Sequence, residues 1–298
     1  MRYASKITII TTLLSCAFAV ILVPIVSNFL SSQVQMQTVQ RIENSVAKME
    51  PQILQEELNN ANEYNQLLAK GDAPQKELNE SYQRALNFVD GMGYIDIPCI
   101  NAYYPIYHGT GNAAISSGVG HVEGTSLPVG GKSTHASLAA HSGLDSAKLF
   151  SELPNVKMGD KFYVHICGEV LCYTVDDIRT IEPDDVNCLK IVEGKDYVTL
   201  ITCVPIGVNT HRLLVRGTRS YEDTLDNSIQ NTDDVSATVN DSAGDYEQGA
   251  LSFITPTNVV KISWVLMGLT VVIFNTIVFV LARHIIERKS GKARLRNE

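Results

Sequence analysis

Tyr197-Val198-Thr199-Leu200-Ile201-Thr202-Cys203 is followed at once by Val204-Pro205 and a Gly/Asn-containing loop to Asn209, and then by Thr210-His211-Arg212-Leu213-Leu214-Val215-Arg216. Both runs are rich in β-branched, aliphatic and aromatic residues, and the segment between them carries turn formers, which together spell two strands of a hairpin. Closing that hairpin brings Arg212 to the same end of the sheet as Cys203. A thiol at a strand end is held by the rigid sheet and still projects into an open cleft, the placement a nucleophile needs. A guanidinium beside it could hold a carbonyl and stabilise an oxyanion, since its charge and fork of donors need no reorganisation. Spacing alone leaves a solvated strand arginine as the plainer reading of Arg212.

Working outward, the same texture of short apolar or alternating runs, separated by Gly, Pro and Asp, extends back to Gly91. It predicts strands at Tyr94 to Ile97, Ala102 to Tyr107, Ser137 to Ala140, Lys161 to Ile166, Val170 to Val175 and Thr180 to Ile181, and a short helix at Ser146 to Glu152. So many short strands favour a closed barrel or a sandwich over alternating βαβ units, hence a mainly β domain. His141 follows the apolar strand Ala136-Ser137-Leu138-Ala139-Ala140 directly, again at a strand-to-loop transition. A thiol needs a base or cationic partner to attack readily, and histidine is the usual one. Taken alone, any of the seven histidines is more often structural.

The ends are of another kind. Ile7 to Leu30 holds no charged residue and is long enough to cross roughly 30 Å of hydrocarbon, and a second apolar run spans Ile262 to Ala282. Arg2, Lys6 and Ala17-Phe18-Ala19 also suit a cleaved signal peptide, but the apolar run continues through Val20-Ile21-Leu22-Val23, so an uncleaved anchor is favoured. Basic residues flank both runs on their outer sides, Arg283, Arg288, Lys289, Lys292, Arg294 and Arg296 following the second. Positive flanks stay in the cytoplasm, which predicts a two-pass protein with both termini inside and the β domain outside.

The chain then divides into six segments. Residues 1–30 form the first cytoplasmic end and membrane helix, and residues 31–90 a helical stalk or lid in which Pro51 ends one helix and opens the next. Residues 91–220 hold the β domain; residues 221–258 form a flexible acidic tether; residues 259–282 form the second membrane helix ahead of a basic tail, 283–298. The net charge of −8 is accounted for by the tether, where Tyr221 to Ala250 carries eight Asp or Glu and no Lys or Arg, and no basic stripe invites nucleic acid. Of the six cysteines, Cys99, Cys167, Cys172 and Cys188 read as small partly buried apolar residues. Hairpin register sets Cys167 and Cys172 on a diagonal beyond an unstrained disulfide, and no His/Cys/Asp spacing argues for a metal.

Together, these residues resemble the signature of the sortase family, in which Thr-Leu-x-Thr-Cys closes a strand and an essential Arg follows nine residues later. Thr199-Leu200-Ile201-Thr202-Cys203 and Arg212 match it, and the family's histidine maps onto His141 within Leu138-Ala139-Ala140-His141-Ser142-Gly143-Leu144. Gly93-Tyr94-Ile95-Asp96-Ile97-Pro98, Gly120-His121-Val122-Glu123-Gly124-Thr125-Ser126-Leu127-Pro128 and Gly207-Val208-Asn209-Thr210-His211-Arg212 look like the pilin-polymerising class C branch. The resemblance implies a closed β-barrel of about eight strands with short helices, an N-terminal helical region and two transmembrane helices. It implies Cys203 as nucleophile, His141 as proton-transfer partner, Arg212 at the reacting carbonyl, Leu200 and Thr202 as substrate contacts, and no cofactor. The implied substrate is a secreted pilin or surface protein bearing a Leu-Pro-x-Thr-Gly-like signal, the acceptor a pilin lysine or a cell-wall precursor, and the setting a lipid membrane.

Two departures from the branch stand out. Its Asp-Pro-aromatic lid motif is replaced by Gly71-Asp72-Ala73-Pro74, and the residue after the histidine, often Arg, is Ser142, expected to alter the cleft rim. Among rivals, a housekeeping sortase shares all three residues, an L,D-transpeptidase lacks its Ser-His-Gly-Cys-x-Arg signature here, and a non-catalytic assembly protein would not need three reactive groups.

Overall fold

The computed structural model describes residues 2–144, 146–221, 265, 268–274 and 276–280. Helix α1 (Arg2–Lys48) runs without interruption from the first apolar stretch into the stalk, past Pro24. Its segment Ile9–Lys48 is long and apolar enough to cross a membrane. The described part of the C-terminal run, Gly268–Val280, is helical and shorter than a full span. The acidic tether beyond Tyr221 and the basic tail lie outside the described residues.

As expected, Pro51 opens a new helix. Helix α2 (Pro51–Lys70) carries it in the first turn, where the missing N–H costs nothing, and Gly71 at φ 72° closes the helix in the left-handed conformation that favours glycine. Helix α3 (Gln75–Arg84) follows the turn Gly71–Pro74.

The eight strands are β1 (Gly93–Ile97), β2 (Ala102–His108), β3 (Val119–His121), β4 (Thr134–Ala139), β5 (Lys161–Ile166), β6 (Glu169–Ile181), β7 (Asp196–Val204) and β8 (His211–Arg219). They close into one barrel in the order β1-β2-β3-β4-β7-β8-β6-β5. Helix α4 (Asn112–Ser117) links β2 to β3, and the helix expected at Ser146 to Glu152 is a 3₁₀ stretch three residues further on, Leu149–Asn155. Two sequence expectations are corrected. Val170–Val175 and Thr180–Ile181 belong to one strand, β6, whose register slips between Val175 and Asp177 at a bulge. The strand β3, with Gly120 at its centre, carries little β propensity of its own and forms because β2 and β4 flank it.

Inward-facing Ile95, Ile106, Leu138, Phe162, Val164 and Leu200 are all fully buried and fill the barrel. The N-terminal helices are fastened to it by polar bonds as well as apolar contact. Glu43 of α1 accepts hydrogen bonds from Tyr94 (2.6 Å) and Tyr103 (3.0 Å). Asn65 of α2 donates to the Leu127 carbonyl at 3.1 Å and accepts from its N–H at 2.7 Å. Tyr82 of α3 reaches His121 Nδ1 at 3.0 Å while its oxygen accepts the Gly109 N–H.

His121 Nε2 lies 2.8 Å from the Ser126 carbonyl, so Nε2 carries the proton and Nδ1 accepts from the Tyr82 hydroxyl. Burial lowers the pKa of this fully enclosed ring to about 4. The unfolded chain then binds a proton that the native fold refuses as pH falls from about 6.5 to about 4. Stability is therefore present above that window and lost through it, by an amount on the order of 3 kcal/mol for this residue. Denaturant unfolding of the full chain in detergent micelles at stepped pH checks this, and a stability flat from pH 7 to pH 4 would exclude it.

Candidate active site

Strands β4, β7 and β8 are adjacent, and their register sets the three singled-out side chains in one row. Cys203 is paired with Arg212 across the antiparallel β7–β8 ladder. The parallel β4–β7 ladder ends at the rung Ala139↔Ile201, and two residues further along both chains come His141 and Cys203. The period-two alternation puts Ala136, Leu138, Val198 and Leu200 in the core and so turns Cys203 and Arg212 to the barrel's outer face, while His141 lies two residues past the end of β4. All three are half-buried.

The Ala140 N–H donates to the Ile201 carbonyl at 3.1 Å, so the peptide groups of Ile201, and by alternation those of Cys203, are directed at β4. Cys203 and Arg212 are therefore a non-hydrogen-bonded pair, the kind whose Cα atoms lie about 4.5 Å apart and whose side chains are the closer. Arg212 is aimed by its own loop: one guanidinium nitrogen donates to the carbonyls of Asn209 and His211, each at 3.1 Å. Those bonds use one nitrogen of the fork.

The His141 loop is pinned at several points. The His141 carbonyl accepts from the Phe150 N–H at 3.1 Å, and the Gly143 N–H donates to Ser151 Oγ at 2.8 Å. Gly143, at φ 72°, lies so close to Ile206 of the β7–β8 loop that any Cβ there would collide with it. Ser142 Oγ donates to the Cys203 carbonyl at 2.6 Å, and Thr202 Oγ1 to the Ala140 carbonyl at 2.9 Å.

Two expectations change here. Leu200 and Thr202 face the barrel interior, at 0% and 2% exposure, and the Thr202 hydroxyl is spent on Ala140. They present no side chain to a ligand on the outer face and instead support the strand that carries Cys203. Ser142 is 9% exposed and bonded beneath the site, so it is not a rim residue. The neighbouring His211 is engaged by Glu182 at 3.2 Å and by Thr210. The Gly71–Pro74 turn has no described bond to Cys203, His141 or Arg212; α2 is bonded at Leu127 and α3 at His121 and Gly109. All six cysteines are free thiols, and among the described residues no group of His, Cys, Asp and Glu is placed to hold a metal ion.

The sortase domain family matches residues 95–220, which spans the whole row and seven of the eight strands together with most of β1. The fold also superposes on the crystal structure of sortase C1 from Streptococcus agalactiae, with 43% identity and a TM-score of 0.59 over 62% of this chain and 98% of that one. The chain belongs to the sortase family. A sortase C of Clostridium perfringens, solved with a C-terminal cell wall sorting motif, is 42% identical with a TM-score of 0.57 over 62% of this chain and 98% of that one. A curated sortase A of Streptococcus agalactiae is 35% identical over 116 residues, 38% of this chain, and the matched stretch spans about half, 46%, of that relative's length. Sortases are cysteine transpeptidases.

Partial burial lowers the His141 pKa below the ordinary histidine value, because enclosure disfavours the imidazolium. Among the described residues no carboxylate bonds the ring to oppose that shift. The His141 ring signals, followed by NMR through a pH titration, are expected to move at a midpoint below about 6.5. A midpoint at or above that value would show a charge partner that outweighs burial.

Proposed function

We propose that this sortase is a membrane-held pilin polymerase that cleaves a Leu-Pro-x-Thr-Gly-like sorting signal between Thr and Gly and transfers the acyl group to a lysine amine of a pilin subunit. The observation that supports the chemistry is the cross-strand pair Cys203–Arg212, with His141 two residues beyond the last β4–β7 rung. The likeness to two class C enzymes over nearly their whole length supports the choice of acceptor.

The Cys203 thiolate attacks the Thr carbonyl carbon, forming a C–S bond and an oxyanion. Arg212, its fork still offering donors, holds that oxyanion with nearby backbone N–H groups. The His141 imidazolium gives its proton to the Gly nitrogen as the C–N bond breaks, leaving a thioester and a neutral imidazole. The incoming lysine amine forms the isopeptide C–N bond, loses its proton to His141, and expels the thiolate. Every proton and electron pair returns to its start.

With the imidazolium disfavoured by burial, a Cys203 thiol that titrates above His141 leaves thiolate and imidazolium together in only a minority of molecules at neutral pH. The pH profile of kcat/KM is then bell-shaped with its acid limb below about pH 6.5. A direct titration placing the Cys203 thiol well below His141 would sink this minority-state account.

The setting follows the same proposal. Helix α1 anchors the enzyme, the C-terminal apolar run provides a second crossing, both termini lie in the cytoplasm, and the barrel works outside it. A second reading, attachment of surface proteins to a cell-wall precursor, is favoured by the curated sortase A relative. Purified pilin offered without wall precursor separates the two, since only the lysine-directed enzyme builds a ladder of covalent polymers.

In the same assay Cys203→Ala should form no thioester with a sorting peptide. Arg212→Lys, which keeps the charge but loses the fork, should lower kcat by roughly 10²–10³-fold. Full activity in the lysine variant would remove the oxyanion role.

A further inference from the structure

The β4–β7 ladder does not stop cleanly at its last backbone rung. The Ala140 N–H bonds the Ile201 carbonyl, and in a parallel ladder the next rung would run from the Ser142 N–H to the Cys203 carbonyl. At His141 the chain leaves the strand, and the Ser142 hydroxyl takes the place of the missing N–H, donating to the Cys203 carbonyl at 2.6 Å across 61 residues of sequence. Ser142 is 9% exposed, so little water competes for the bond.

We propose that Ser142 is a positioning residue for the acyl transfer, a side-chain rung that holds the backbone of the nucleophile against the loop carrying His141. The inference rests on the transpeptidase reading above. Its physical content is a distance constraint. His141 immediately precedes Ser142, and Cys203 itself supplies the accepting carbonyl, so one short bond fixes the backbones of the two reacting residues to each other, with one peptide unit between Ser142 and His141.

Without it, the connections between the two segments near the site are the Ala140–Ile201 backbone bond, the Thr202–Ala140 bond and the apolar fit of Gly143 under Ile206. None of them reaches the backbone of Cys203. Loops hinge where rungs are lost, and proton transfer between imidazole and sulfur depends steeply on their separation. The sequence departs from its nearest resemblance at this residue, and a long side chain such as Arg could not make the same short bond.

The test uses the full chain in detergent with Ser142→Ala, Ser142→Thr and Ser142→Val, the last two alike in shape but differing in the hydroxyl. Two quantities are read: kcat and KM for cleavage of a Leu-Pro-x-Thr-Gly peptide, and the pH profile of Cys203 alkylation by iodoacetamide, followed on its own peptide by mass spectrometry. The Ala and Val variants should lose roughly 10- to 100-fold in kcat with KM nearly unchanged. Their alkylation profiles should come to match that of His141→Ala. Ser142→Thr should stay near the parent in both.

A Val variant that tracks the Thr variant overturns the proposal. So does a lower kcat with the parent alkylation profile, or loss of folding in Ala and Val alone, which would make the hydroxyl a prop for stability. If the parent cleaves no sorting peptide, the functional reading fails by itself, and the alkylation profiles still decide the role of Ser142.

Discussion

The site depends on the register of three neighbouring strands, β4, β7 and β8. Antiparallel pairing of β7 with β8 sets Cys203 opposite Arg212, and parallel pairing of β4 with β7 delivers the chain to His141 two residues past its last rung. A slip of one residue in either ladder would turn a reactive side chain into the core and expose an apolar one. Burial of Leu138, Val198, Leu200 and Val215 on the inner face therefore fixes the chemistry on the outer face. Hydrophobic burial does here what no bond among the reactive groups does, since Cys203, His141 and Arg212 share no described hydrogen bond with one another.

Polar bonds refine that alignment where the ladders run out. Thr202 and Ser142 each cap a carbonyl on the opposite segment, and Asn209 and His211 carbonyls aim the Arg212 guanidinium. Buried hydroxyl-to-carbonyl bonds are costly to leave unmade, so they hold geometry more firmly than their modest net contribution to stability suggests. The same enclosure that makes them firm disfavours charge on His141. Positioning and proton affinity are thus coupled through one property, exclusion of water.

The N-terminal helices are part of the domain rather than a loose stalk. Tyr64, Asn65 and Tyr82 are buried against the barrel, and Tyr82 shares a network with His121 and Gly109. Because α1 is one helix from the apolar stretch to Lys48 and also bonds β1 and β2 through Glu43, one continuous helix joins the apolar stretch to the barrel. Asn28 of α1 also accepts a hydrogen bond from the Lys148 N–H at 2.9 Å, in the loop that follows His141.

Much of this was legible in the chain itself. The apolar run at the N-terminus, the helix break at Pro51 and most of the strands follow from local pattern, since period and turn chemistry act over a few residues. Cys203 and Arg212 were legible for the same reason, as a hairpin ties them through a short loop. Even the inward turn of Leu200 and Thr202 was implicit in alternation once Cys203 faced out. The joining of β6 across its bulge, the short strand β3, the placing of His141 beside Cys203 and the bond from Ser142 were decided by tertiary structure. Each depends on which distant strand lies alongside, a choice made by closing the barrel around its core, and residues some sixty positions apart carry no local signal of that choice.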